Sequence, residues 1–155
     1  MAQKEFAKLI KISTPTIERW EASDKKITGP VIFAVNFLKA HPEYVESISI
    51  PEQKLPIRMW YMFKNDRCTL IDVDQVKQKV EIKNYTDNLM FRVFGKNENP
   101  SYKDFSDFLE ERTMPKSRDK LKLELDNLEI PFYDPLWIIR KTKGRMAEDN
   151  FWIEM

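Results

Sequence analysis

Glycine is scarce in this chain: Gly29, Gly95 and Gly144 are the only three in 155 residues. Phosphate-cradling loops need several glycines close together, so that bare backbone can approach a ligand, and the Gly-rich nucleotide-binding loops are excluded. Histidine and cysteine are rarer still. One of each, His41 and Cys68, cannot build a classical zinc site or an internal disulfide, and a lone cysteine suits a reducing cytoplasm. No run approaches the roughly 18 apolar residues that a membrane-spanning helix needs. The N-terminal residues Lys4, Glu5 and Lys8 fall inside an amphipathic pattern, which is not that of a secretory signal. A cytoplasmic protein with no membrane partner and no cofactor is expected.

What is present suits a globular chain. Hydrophobic residues at 42% and charged residues at 33% supply both a core and a solvated surface, and the length allows one ordinary domain or two small ones. The net charge of +1 decides nothing about nucleic acid, because a binder needs only a local positive face. Cations cluster at Lys25-Lys26, at Lys116 to Lys122 and at Arg140 to Arg145.

Periodicity divides the chain. Up to about residue 47, Phe6, Leu9, Ile10, Ile17, Trp20 and Val31 to Leu38 recur at helical spacing. Pro51 and Pro56 around Glu52, Gln53 and Lys54 mark a linker. From Ile57 the period becomes two, which predicts strands over Ile57 to Phe63, Cys68 to Asp74 and Lys79 to Asn84, joined in an antiparallel meander. Helical spacing returns at Asp104 to Glu111, Ser117 to Leu128 and Pro135 to Lys143. Ser101, Ser117 and Asp134 stand where N-caps are expected, and Gly144 where the last helix should stop. The class is α+β, with a helical head over residues 1–50 and a mixed α+β domain over 51–155.

The segment from Gln3 to Glu21, QKEFAKLIKISTPTIERWE, carries a helix-turn-helix pattern. Ala7 is the small residue needed where the second helix crosses the first. Ile12, Ile17 and Trp20 follow at offsets of five, ten and thirteen, on the inner face of the turn and second helix. Ser13 caps that second helix, whose outward face is Thr14, in part Thr16, Glu18 and Arg19. Such a helix can lie in the major groove with its first residues at base edges.

In these residues the chain resembles the Cro/repressor-like (XRE) family, in its antitoxin-type form; the resemblance covers about the first 45 residues and includes Gly29-Pro30 opening a further helix. It implies a sequence-specific DNA-binding transcriptional regulator acting as a homodimer on double-stranded DNA. Gln3 would touch a backbone phosphate, and Ser13, Thr14, Thr16, Glu18 and Arg19 would supply further DNA contacts. Arg19 would be the candidate for a guanine contact, since its fork matches the two acceptors on that base edge. Two departures stand out. Lys11 occupies the turn position usually held by glycine, and only Met1 and Ala2 precede Gln3 where family members carry another helix.

The C-terminal string Phe108 to Arg118, with Pro135 to Ile139, Lys143-Gly144 and Asp149 to Trp152, resembles a segment ahead of the kinase core in some HipA-like toxins. It implies a HipB-like antitoxin, or an adaptor docking a HipA-like toxin partner without reading DNA. Kinase activity does not carry over, because the Gly-rich loop and the His-Arg-Asp and Asp-Phe-Gly triplets are missing. Read from the residues alone, Arg112, Lys116 and Arg118 flank Pro115, while Arg140, Lys141, Lys143 and Arg145 end a helix. Dipole complementarity explains cations at a helix C-terminus; the functional alternative is an extra phosphate or acidic-partner site. Phe151 and Trp152 are expected as core anchors, or, if exposed, as a partner surface.

An enzyme is not expected. His41 before Pro42 reads as a surface or cap residue, and Cys68 as a small buried hydrophobe. Asp72 and Asp74, joined by Asp87, Glu148 and Asp149, could in principle surround a magnesium ion. Yet Asp72-Val73-Asp74 runs into a turn, where aspartate serves the backbone.

Overall fold

The computed structural model describes residues 3–23 and 27–155, so the basic pair Lys25-Lys26 lies outside the described residues. Among those described, seven α-helices and a four-stranded antiparallel sheet make the chain α+β. It divides into two compact units, Met1–Glu52 and Gln53–Met155, and none of its helices is long and apolar enough to cross a membrane among the described residues.

The first unit holds α1 (Gln3–Leu9), α2 (Thr14–Glu21), α3 (Pro30–Ala40) and α4 (Pro42–Ile48). Lys11 ends α1 by taking a left-handed φ of 55°. Its N–H then donates to the Lys8 carbonyl, and the Ile12 N–H to the Ala7 carbonyl at 3.0 Å, the paired closure of a Schellman turn. The chain thus does with lysine what glycine usually does there. Gly29 opens α3 at φ 94°, a conformation that side chains resist, and Pro30 pre-sets the first helical turn.

In the second unit β1 (Ile57–Phe63), β2 (Asp66–Asp74) and β3 (Lys79–Asn84) form the expected meander. A fourth strand, β4 (Phe151–Glu154), pairs antiparallel with β1 to give the order β3-β2-β1-β4. Its residues Phe-Trp-Ile carry no alternation, so nothing local announces a strand; the free edge of β1 recruits it. One sheet face, including Met59, Tyr61, Ile71, Val73 and Ile153, shares a core with Phe105, Phe108 and Leu109 of α5 (Tyr102–Glu111) and with Leu136 and Ile139 of α7 (Pro135–Thr142). Each such fully buried side chain is worth roughly 2 kcal/mol of apolar burial. A smaller cluster gathers Leu125 of α6 (Leu121–Asn127) with Ile130 and Ile138.

Two of the expected caps form. The Ser101 hydroxyl accepts from the Asp104 N–H at 3.2 Å while the Asp104 carboxylate accepts the Ser101 N–H at 2.8 Å; Asp134 accepts from the Leu136 and Trp137 N–H groups. Ser117 does not cap a helix. α6 starts only at Leu121, after Lys120 turns left-handed at φ 60°. The polar run after Pro115 has no apolar side chain to bury, so the helix forms where Leu121 and Leu125 meet the small cluster.

Candidate nucleic-acid interface

The α1–α2 pair closes on small and branched side chains. Ala7 and Ile17 are buried, and Ile12 and Trp20 are half-buried. The connection is held at both ends by backbone bonds, Ile12 N–H to Ala7 O and Thr16 N–H to Ser13 O, each 3.0 Å. This packing turns one side of α2 outward. Glu18 and Arg19 are exposed there, and Thr14 and Thr16 are half-buried toward the start of the helix.

Two of the residues singled out behave differently from expectation. Ser13 has the extended backbone of an N-cap, but its side chain makes no cap bond; its hydroxyl lies 2.7 Å from the Thr16 hydroxyl instead. The two hydroxyls satisfy each other, and the Thr16 N–H donates to the Ser13 carbonyl rather than to its side chain. Gln3, expected to face a phosphate, donates from its side-chain amide to the Glu21 carboxylate at the far end of α2. That bond ties the two helices together and occupies the group that would meet the backbone. Lys4, Lys8 and Lys11 are exposed on and just after α1, on the N-terminal side of α2 in sequence.

A feature that sequence reasoning missed lies on α3 and α4. Every described residue of α3 is exposed or half-buried, and Phe33 is 75% exposed. Phe33 stacks on Phe37 at 6.4 Å between ring centres, and Phe37 meets Tyr44 edge-on at 5.8 Å. The signal was in the sequence: Val31 to Leu38 is apolar around nearly the whole helix, and a short helix cannot turn every face inward. His41 is exposed between the two helices, with its Nδ1 2.9 Å from the Glu43 carboxylate; that bond holds the Glu43 carboxyl below its usual range.

The second unit shows how its acids and cations are used. Asp72 receives a two-pronged bond from Arg58, at 2.7 and 2.6 Å, and the bond pushes the Arg58 guanidinium up. Asp74 accepts the Val76 and Lys77 N–H groups at 3.0 Å each, closing the β2–β3 turn. Asp87 is 3.6 Å from Arg92, and Asp149 pairs with Arg112. These acids are therefore apart, each on its own partner, and no group of three or more His, Cys, Asp or Glu side chains suited to a metal ion occurs among the described residues. Cys68 is buried in β2, and burial pushes its thiol up. Phe151 packs parallel to Tyr61 at 4.8 Å, as a core anchor should. Trp152 is half-buried, with Lys143 and Arg145 over its ring at 5.5 and 5.0 Å.

No family model, curated protein or solved structure matches this chain.

Proposed function

We propose that the protein is a cytoplasmic, sequence-specific DNA-binding transcriptional regulator, of HipB-like antitoxin type, with α2 as its reading helix. The observation that carries this is the closure of α1 on α2 through Ala7, Ile17 and the left-handed Lys11, which leaves Arg19 exposed on the outer side of α2. In this reading Arg19 forks onto a guanine. Ser13, Thr14 and Thr16 meet base edges or phosphates near the start of α2, Glu18 rejects or selects a neighbouring base, and Lys4, Lys8 and Lys11 neutralise phosphates. Gln3 reaches a phosphate only by exchanging Glu21 for it.

One helix of eight residues makes few contacts, so the functional species is a homodimer on paired half-sites roughly 34 Å apart. The uncovered Phe33, Phe37 and Tyr44 supply an apolar face for that association. Fluorescence anisotropy with the duplex upstream of its own coding sequence, across a salt series, tests the proposal. Specific binding with a steep loss of affinity at higher salt is expected; equal affinity for scrambled duplex ends the sequence-specific reading.

The adaptor reading, in which the chain docks a HipA-like kinase toxin without touching DNA, draws on the same aromatic face and on Gln3 being engaged by Glu21. Absence of any duplex binding together with a stable complex with such a kinase would favour it.

A further inference from the structure

Two basic clusters far apart in sequence meet in the second unit. Arg118, from the turn ahead of α6, and Arg145, from the loop after α7, line one cleft of about 380 Å³, with Met114, Ile138 and Met146 as apolar lining and Glu148 as an acidic one. Dipole complementarity accounts for Arg140 and Lys141 in the last turn of α7. It does not account for these two arginines. Arg118 sits in a turn closed by its own N–H on the Pro115 carbonyl, and Arg145 follows the left-handed pair Lys143-Gly144 beyond the helix.

The fold leaves both guanidinium groups largely uncommitted. Arg118 reaches Glu124 at only 3.4 Å, with both side chains about half exposed, and Arg145 rests over the Trp152 ring. Arg112, which lines the same cleft, is the opposite case. Its donors are taken by Gly144 O, Phe151 O and the Asp149 carboxylate. Arg112 is thus a positioning residue that anchors both ends of the loop carrying Arg145, Met146 and Glu148, so the cleft is organised before any ligand arrives.

We propose that this cleft binds a phosphomonoester carried on a small, partly apolar body. One guanidinium fork saturates a carboxylate, whereas a phosphomonoester offers three terminal oxygens and a charge of about −1.5 to −2, which suits two forks from separate segments. Met114, Ile138 and Met146 take the apolar part, methionine adapting to its shape. Glu148 serves a hydrogen-bond donor on the ligand's body, since it repels the phosphate itself. The site concerns the second unit alone and stands or falls independently of DNA binding.

Isothermal titration of the full chain with phenyl phosphate, a phosphothreonine peptide, and the matching phenol and unmodified peptide tests this. At least one phosphorylated probe should bind roughly tenfold or more tightly than its unphosphorylated counterpart. Arg118→Ala and Arg145→Ala should each weaken that binding several-fold, while Arg140→Ala, outside the cleft, should not. Both arginines are exposed, so unchanged thermal melting checks that the variants are folded. Preference for the peptide assigns a protein source to the phosphate, and preference for phenyl phosphate a small molecule. Failure of both phosphorylated probes to bind overturns the proposal, as does binding that survives the double substitution.

Discussion

The Arg112 guanidinium lies 2.5 Å from the Asp149 carboxylate, and the same side chain donates to the carbonyls of Gly144 and Phe151. A single cation, 7% exposed, therefore joins the end of α5 to the loop after α7 and to the first residue of β4. The short edge strand depends on this joint, because its own four residues give it few ladder bonds.

Removing the guanidinium leaves the Gly144 and Phe151 carbonyls and the Asp149 carboxylate, whose side chain is 30% exposed, without this donor, which costs roughly 1–3 kcal/mol. Arg112→Ala should lower the unfolding free energy of the second unit by about that amount. Arg112→Lys should recover only part of it, since one ammonium cannot span a carboxylate and two carbonyls. Urea denaturation measures both; a wild-type midpoint in Arg112→Ala would show that the joint contributes nothing, and one in Arg112→Lys that a single ammonium replaces the fork.

The same pair sets an acid limit. The bond from Arg112 holds the Asp149 carboxyl below its ordinary 3.8, with the Phe151 N–H adding to the effect and burial opposing it. A carboxyl depressed in the folded state contributes stability above its unfolded value, and that contribution is lost as pH falls through the folded value. Melting temperature should therefore drop faster below about pH 4 in the natural protein than in Asp149→Asn, which starts lower at neutral pH. Parallel curves would contradict this.

Two left-handed residues should respond in opposite directions. Lys11 holds φ 55° without glycine, so Lys11→Gly should stabilise the first unit by a few tenths to about 1 kcal/mol. Gly144 holds φ 58°, and an added Cβ would stand 3.1 Å from Ile153 Cδ1. Gly144→Ala should destabilise by about 1–2 kcal/mol. Thermal denaturation of the two variants reads both signs.

Under the DNA-binding proposal, Arg19→Ala should lose about 1–3 kcal/mol of discrimination at one base pair while leaving the melting temperature unchanged. Lys8→Ala should weaken all duplexes alike and reduce the salt slope by about 1. Anisotropy against a panel of single-base operator variants separates the two effects. Unchanged preference in Arg19→Ala would remove that residue from the reading set.

Phe33, three-quarters exposed, gives the test of assembly. Phe33→Asp should leave the helices folded, because the ring fills no core, and convert a dimer to a monomer in analytical ultracentrifugation. An unaltered sedimentation profile would place any dimer contact elsewhere.

Much of the fold was legible wherever local pattern decides it. β1 and β3 run over the residues that alternation marked, Ser101 and Asp134 cap as their positions demanded, and Lys11 takes the left-handed turn its place in the motif required. Reading went astray where a partner from elsewhere decides. Ser117 lost its cap because α6 begins where leucines find a core, and Ser13 gave its hydroxyl to Thr16 rather than to the helix. The candidate site was half legible: the inward set Ala7 and Ile17 and the outward Arg19 followed from helical geometry, while the engagement of Gln3 by Glu21, eighteen residues away, did not.

Taken alone, the order of residues determined the class, the helical head and mixed tail, and which side of α2 is dry. Those outcomes depend on period and on neighbours within a turn or two. Tertiary structure alone decided that β4 joins the edge of β1, and that Arg112 is spent on Asp149 while Arg118 and Arg145 stay available. Pairing of strands and of charges is set by distance in space, and between Arg112 and Asp149 the chain runs 37 residues before the two meet.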